Sequence, residues 1–117
     1  MQPDDKIRLH HMLDSAREAI EFAKGKSRAD LTSNRMFVLS VIKSIEIIGE
    51  AANKVSPQAQ KEVPAIPWQD VIAMRHRLIH TYFDINLDVV WETVHVDLPS
   101  LVAALEKILT EDKKTSN

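Results

Sequence analysis

Cysteine is absent from the 117-residue chain, which excludes a disulfide framework, a thiolate metal centre and a cysteine nucleophile. Glycine is almost absent: Gly25 and Gly49 are the only two. With so little glycine, and with long runs rich in Ala, Leu, Ile, Glu and Lys, the composition favours an all-helical fold. No stretch of about eighteen consecutive apolar residues occurs, so no membrane-spanning helix is expected. The opening "MQPDDKIRLHHML" lacks a charged segment followed by an apolar core and so does not read as a secretion signal. A strong excess of one charge is missing as well. Fifteen Lys and Arg stand against seventeen Asp and Glu, for a formal net charge of −2. A protein that coats nucleic acid is usually strongly basic, so any RNA or DNA contact here rests on a local patch. These absences predict a cytoplasmic helical protein. Its length suits one domain over 1–117 with a single hydrophobic core.

The apolar spacing predicts where the helices lie. Leu9, Leu13, Ala16 and Ile20 recur at helical intervals over about Asp4 to Lys24, with Asp4 and Asp5 suitably placed at the N-terminus. Gly25 is a stop, and Ser27 or Asp30 can cap the next helix. This second, long helix is expected from about Leu31 to Val55. Its core, "MFVLSVIKSIEIIGEAA", is apolar on more than one face through Phe37, Val38, Leu39, Val41, Ile42, Ile45, Ile47 and Ile48. Such a helix is central to a core or buried in a partner, which points to a homodimer. Pro57, Pro64 and Pro67 mark "SPQAQKEVPAIP" as a connector. A third helix over "PWQDVIAMRHRLIH" begins at Pro67. "DIN" at 84–86 reads as a turn, with Asn86 capping a fourth helix from Leu87. That helix carries Val90, Val94, Leu98, Leu101, Leu105 and Ile108, and Pro99 should kink it without ending it. Residues 111–117 form a polar tail expected to fray. The sum is an up-and-down bundle of four to five helices.

One stretch stands out chemically. "MRHRLIHTYF", residues 74–83, holds two arginines, two histidines and the only tyrosine in the chain. On a straight helix Arg75 and His80 point roughly 140° apart, since each residue advances about 100°. If the helix loosens before His80, the geometry changes, and in an extended segment His80 and Tyr82 project to one side. Arg75 offers a fixed fork of donors suited to a phosphate. His80 can move a proton near neutrality. Together they suit RNA cleavage, in which a base takes the ribose 2′-OH proton and an arginine stabilises charge at phosphorus, with no metal and no cofactor required. Tyr82 is a stacking surface or a phenol open to modification. Arg and His on a surface helix also occur simply as solvated groups. His76 and His80, four apart, have a spacing that can hold a metal, but no His-Glu-x-x-His motif supports one. Glu50 is a candidate to orient Arg75 or His80 from the second helix. His76, Arg77 and Arg35 are candidates for phosphate contacts.

The run "RHRLIHTY" resembles the Arg-x4-His-x-Tyr motif of the HepT-like branch of the HEPN superfamily, through Arg75, His80 and Tyr82. "IGEAANKVS" at 48–56, "IPW" at 66–68 and "DVVWETVHVDLP" at 88–99 are similar to that family in order and spacing, so the resemblance covers essentially the whole chain. It implies a dimeric four- or five-helix bundle whose two motifs line one cleft. It further implies the toxin of a toxin–antitoxin system: a metal-independent ribonuclease with Arg75 and His80 as the catalytic pair. The partner so implied is a minimal, MntA-like nucleotidyltransferase antitoxin that transfers AMP to Tyr82. Phosphate added there would repel RNA and block His80. The chain departs from the family at His76, where asparagine is usual, and at Thr81, where glycine is usual. A non-catalytic nucleotide- or RNA-binding partner of a nucleotidyltransferase is the alternative. Such relatives usually lack the arginine–histidine pair that this chain keeps.

Overall fold

The computed structural model describes residues 1–81 and 84–115, with the backbone alone described at 80, 81 and 113–115. Helix α1 spans Pro3–Ala23, with Pro3 in the first turn, where a missing N–H costs nothing. Gly25 follows it at φ +74°, the left-handed conformation that glycine adopts most readily. The buried stripe of α1 is Leu9, Met12, Leu13, Ala16, Ala19 and Ala23. Its small alanines let α1 lie close along the central helix, α3 (Arg35–Lys54), its most extensive neighbour.

The expected helix from Leu31 to Val55 is in fact two. A short α2 (Asp30–Ser33) is followed by a break at Asn34, whose backbone is extended and whose side chain accepts from Phe37 N–H at 3.1 Å. Asn34 therefore caps α3. Asp30 instead reaches back to accept from Ser27 N–H at 2.7 Å. Within α3, Phe37, Val38, Val41, Ile42, Ile45 and Ile48 are all buried inside this one chain. The helix is apolar on several faces because it is packed on one side by α1 and on the other by α5 (Trp68–Ile72) and α6 (Met74–Leu78). Much of the apolar surface that pointed to a partner is thus buried within the chain itself. Met36 and Leu39 remain exposed.

The connector is more ordered than its prolines suggest. Pro57 opens a helix, α4 (Pro57–Glu62), and Ser56 caps it by accepting from Ala59 N–H at 3.2 Å. The buried Trp68 donates its indole N–H to the Val63 carbonyl at 3.0 Å, which fixes the entry to α5. The third predicted helix is also divided: a turn at Ala73 separates α5 from α6, and α6 stops at Leu78. Strand β1 (Ile79–Thr81) then pairs antiparallel with β2 (Asp84–Ile85), where a turn was expected. Asn86 N–H closes this corner on the Leu78 carbonyl at 2.7 Å, satisfying an oxygen that the helix end leaves free.

Asn86 caps α7 (Leu87–Glu92) as expected, accepting from Val89 N–H at 3.2 Å. A π-helical segment, Thr93–Asp97, joins α7 to α8 (Leu98–Thr115). Pro99 has no N–H to offer His95 and its ring crowds that carbonyl, and the wider π turn accommodates both without ending the helix. The stripe from Val90 through Val94, Leu98, Leu101 and Leu105 stays buried throughout. Ser116 and Asn117, the end of the expected tail, lie outside the described residues. The fold is an all-α bundle whose β pairing, among the described residues, is confined to the corner after α6.

Candidate active site

Short α6 carries the first half of the sequence motif. Met74 and Leu78 are buried and anchor it to the core, so the residues between them are turned outward. Arg75 and His76 face a shallow recess on the outside of α3, lined also by Glu46, Gly49, Glu50, Asn53 and Ile72. Gly49 is where α5 passes close to α3: a Cβ built there would lie 3.4 Å from the Ile72 carbonyl and 3.6 Å from that of Val71.

Arg75 is held in place. Its Nε donates to Glu46 Oε1 at 2.6 Å, and Lys43 Nζ lies 3.8 Å from the other oxygen of the same carboxylate. Glu46 is the more buried of the pair, with 23 % of its side chain exposed against 47 % for Arg75. The carboxylate that orients Arg75 is thus Glu46, one helical turn before the expected Glu50. Glu50 is exposed and lines the same recess. Both glutamates lie on one face of α3, and the choice between them depends on the register of α6 on α3, which the sequence does not carry.

Arg77 is separated from this group. Two helical positions from Arg75 amount to a rotation of about 200°. Arg77 lines a different recess, with Asp70, Val96 and Asp97, where its Nη2 lies 3.5 Å from the Asp70 carbonyl. Arg35 is exposed at the start of α3.

The helix ends before His80, as the loosened alternative required, and the backbone at His80 is extended within β1. The helical spacing that could pair His76 with His80 on a metal is therefore not formed. The His80 side chain and the whole of Tyr82 lie outside the described residues. Tyr82 falls in sequence between the two paired strands.

Arg75 is thus exposed on a short helix that ends before His80, and Tyr82 follows two positions later in the sequence. The chain belongs to the HepT-like family: residues 12–108 match the family model described as Ribonuclease HepT-like. A protein of Thermococcus cleftensis named probable ribonuclease HepT is 36 % identical over 100 residues, covering 82 % of this chain and 91 % of that one. A candidate RNase of Caldanaerobacter subterraneus is 32 % identical, covering 90 % of this chain and 94 % of its own. A Methanocaldococcus jannaschii protein named as a gamma-glutamylcyclotransferase and candidate RNase is 36 % identical over all of this chain. The chain spans about half the length of that last relative, 53 %. No solved structure gives a significant match.

Proposed function

We propose that this protein is the toxin of a toxin–antitoxin system, a metal-independent RNA endonuclease working through Arg75 and His80. The observation that carries the reading is the placement of Arg75, oriented at a recess, directly before a helix stop that puts the His80 backbone in an extended strand. Membership of a ribonuclease family supports the same chemistry.

In the proposed reaction His80 takes the proton from a ribose 2′-OH, and that oxygen attacks the adjacent phosphorus. The bond from phosphorus to the 5′ oxygen breaks, leaving a 2′,3′-cyclic phosphate on one product, and the departing oxygen takes a proton from water to become the 5′-OH of the other, the hydroxide so formed being neutralised by the proton His80 gives up. Arg75 neutralises the charge that builds on the phosphoryl oxygens. His76, beside Arg75 in the recess, donates to a phosphate oxygen, and Glu50 at the rim helps set which RNA shapes enter. Two protomers join with their motifs at one cleft, Met36 and Leu39 supplying apolar contact.

The protein works in the cytoplasm, and a minimal nucleotidyltransferase silences it. The Tyr82 phenol oxygen attacks the α-phosphorus of ATP, pyrophosphate leaves, and AMP remains on the tyrosine. The added phosphate stands two residues from His80 and repels RNA.

The test is cleavage of total RNA by protein made without its partner, in EDTA, beside His80→Ala and Arg75→Ala. Wild type should cut and leave cyclic ends. Each variant should lose at least about 100-fold, the scale of removing one charge-stabilising or proton-transferring group. Absence of cleavage by wild type, with Tyr82 shown bare by intact mass, would move the reading to a non-catalytic partner of the nucleotidyltransferase.

A further inference from the structure

One carboxylate in the recess has no part in the proposed cleavage. Glu46 reaches Arg75 from the wall of α3, and its bond is made to Nε, the inner nitrogen of the guanidinium. The two terminal amino groups carry four of the five N–H donors of an arginine, and among the described residues none of these four donates to a protein acceptor. Glu46 is in turn flanked by Lys43, three positions earlier on the same helix. Gly49, one turn on, lines the same recess as the fork.

We infer that Glu46 is the positioning residue of this site: it fixes Arg75 through Nε so that the outer edge of the guanidinium faces the recess, ready for bidentate capture of the scissile phosphate. The inference rests on the ribonuclease reading and deepens it. A long arginine side chain on an exposed helix has many rotamers, and holding it in one before substrate arrives removes that ordering from the barrier. Glu46 does not touch the reacting atoms. It acts through Arg75, and the pair is too exposed to matter much for folding.

The experiment measures cleavage of a labelled oligoribonucleotide, taken from a site that wild type cuts in total RNA, in EDTA. The variants are Glu46→Ala, Glu46→Gln, Glu46→Asp, Arg75→Ala and the double variant of Ala at 46 and 75, each checked for folding by circular dichroism. Glu46→Ala should lower kcat by about 10- to 100-fold, with KM within about threefold, as expected when only transition-state geometry suffers. Glu46→Gln keeps an acceptor at the same reach and should return to within about threefold of wild type. Glu46→Asp keeps the charge but retracts the acceptor, and should behave like the alanine variant. In the Arg75→Ala background, loss of Glu46 should have no further effect, because the two act as a unit.

A Glu46→Ala enzyme as active as wild type overturns the inference, as does the same loss with and without Arg75. A variant that is more active, with a lower KM, also overturns it, since Glu46 would then be a competitor for the arginine. Wild type that cuts no RNA, with Tyr82 bare, removes the ribonuclease reading itself and the inference with it.

Discussion

Asp5 provides a sharp test of how the bundle is tied together. It is 5 % exposed in the first turn of α1, yet its carboxylate binds fifty-one residues away. One oxygen accepts from Ser56 N–H at 2.8 Å and the other from Ser56 Oγ–H at 2.8 Å. The serine oxygen in turn accepts from Ala59 N–H, so a single acid fixes the end of α3 and the cap of α4 to the start of α1. Asp5→Ala removes two hydrogen bonds to a charged group, each worth about 1.5–3 kcal/mol. Ser56 is only half-buried, so water recovers part of that loss. The expected cost is about 2–3 kcal/mol, which lowers Tm by roughly 10 °C for a chain of this size. Asp5→Asn keeps one acceptor and should cost about half as much. Urea unfolding followed by far-ultraviolet circular dichroism measures it, through a shifted midpoint at constant slope. A loss below about 0.5 kcal/mol for Asp5→Ala would refute the reasoning. Coupling to Ser56→Ala is the internal check: with Ser56 already alanine, Asp5→Ala should cost about 1 kcal/mol less.

Asn34→Ala removes the cap that separates α2 from α3 and should cost about 1 kcal/mol in the same unfolding assay, whereas Asn34→Asp should be nearly neutral. At Gly49 the contacts to the α5 carbonyls predict a size threshold. Gly49→Ala meets ordinary van der Waals distances and gains helix propensity, so its stability should equal or exceed that of wild type. Gly49→Leu should cost about 1–3 kcal/mol by pushing α5 from α3, and should also cut RNA cleavage by filling the recess beside Arg75. A leucine variant that is fully stable and active would separate the recess from the site.

The elements differ in how plainly they were written in the sequence, and the difference is physical. The stripes through Leu9, Leu13 and Ala16 and through Val90, Val94 and Leu98 were legible because helical periodicity is a property of neighbours in the chain. Asn86 was legible for the same reason, as a capping side chain acts three residues away. Asn34 is the same kind of signal, standing just before an apolar run that invited one long helix from Leu31. Ser56–Pro57 likewise has the form of a cap followed by a first-turn proline, although a group of three prolines suggested a plain connector. Arg77, expected to share phosphate contacts with Arg75, lies in a different recess, although the rotation of about 200° between them was already contained in the helical spacing.

By itself, the sequence determined the all-α class, the main buried stripes and the family, because these depend on local periodicity and on motifs of fixed spacing. Tertiary structure decided which carboxylate meets Arg75. Glu46 and Glu50 differ by one turn on one face of α3, and only the packing of α5 and α6 against that helix, set by the close approach at Gly49, brings the first of them within hydrogen-bond reach. Tertiary structure also decided that α3 satisfies most of its apolar faces within the chain, since burial depends on how the bundle wraps around a helix.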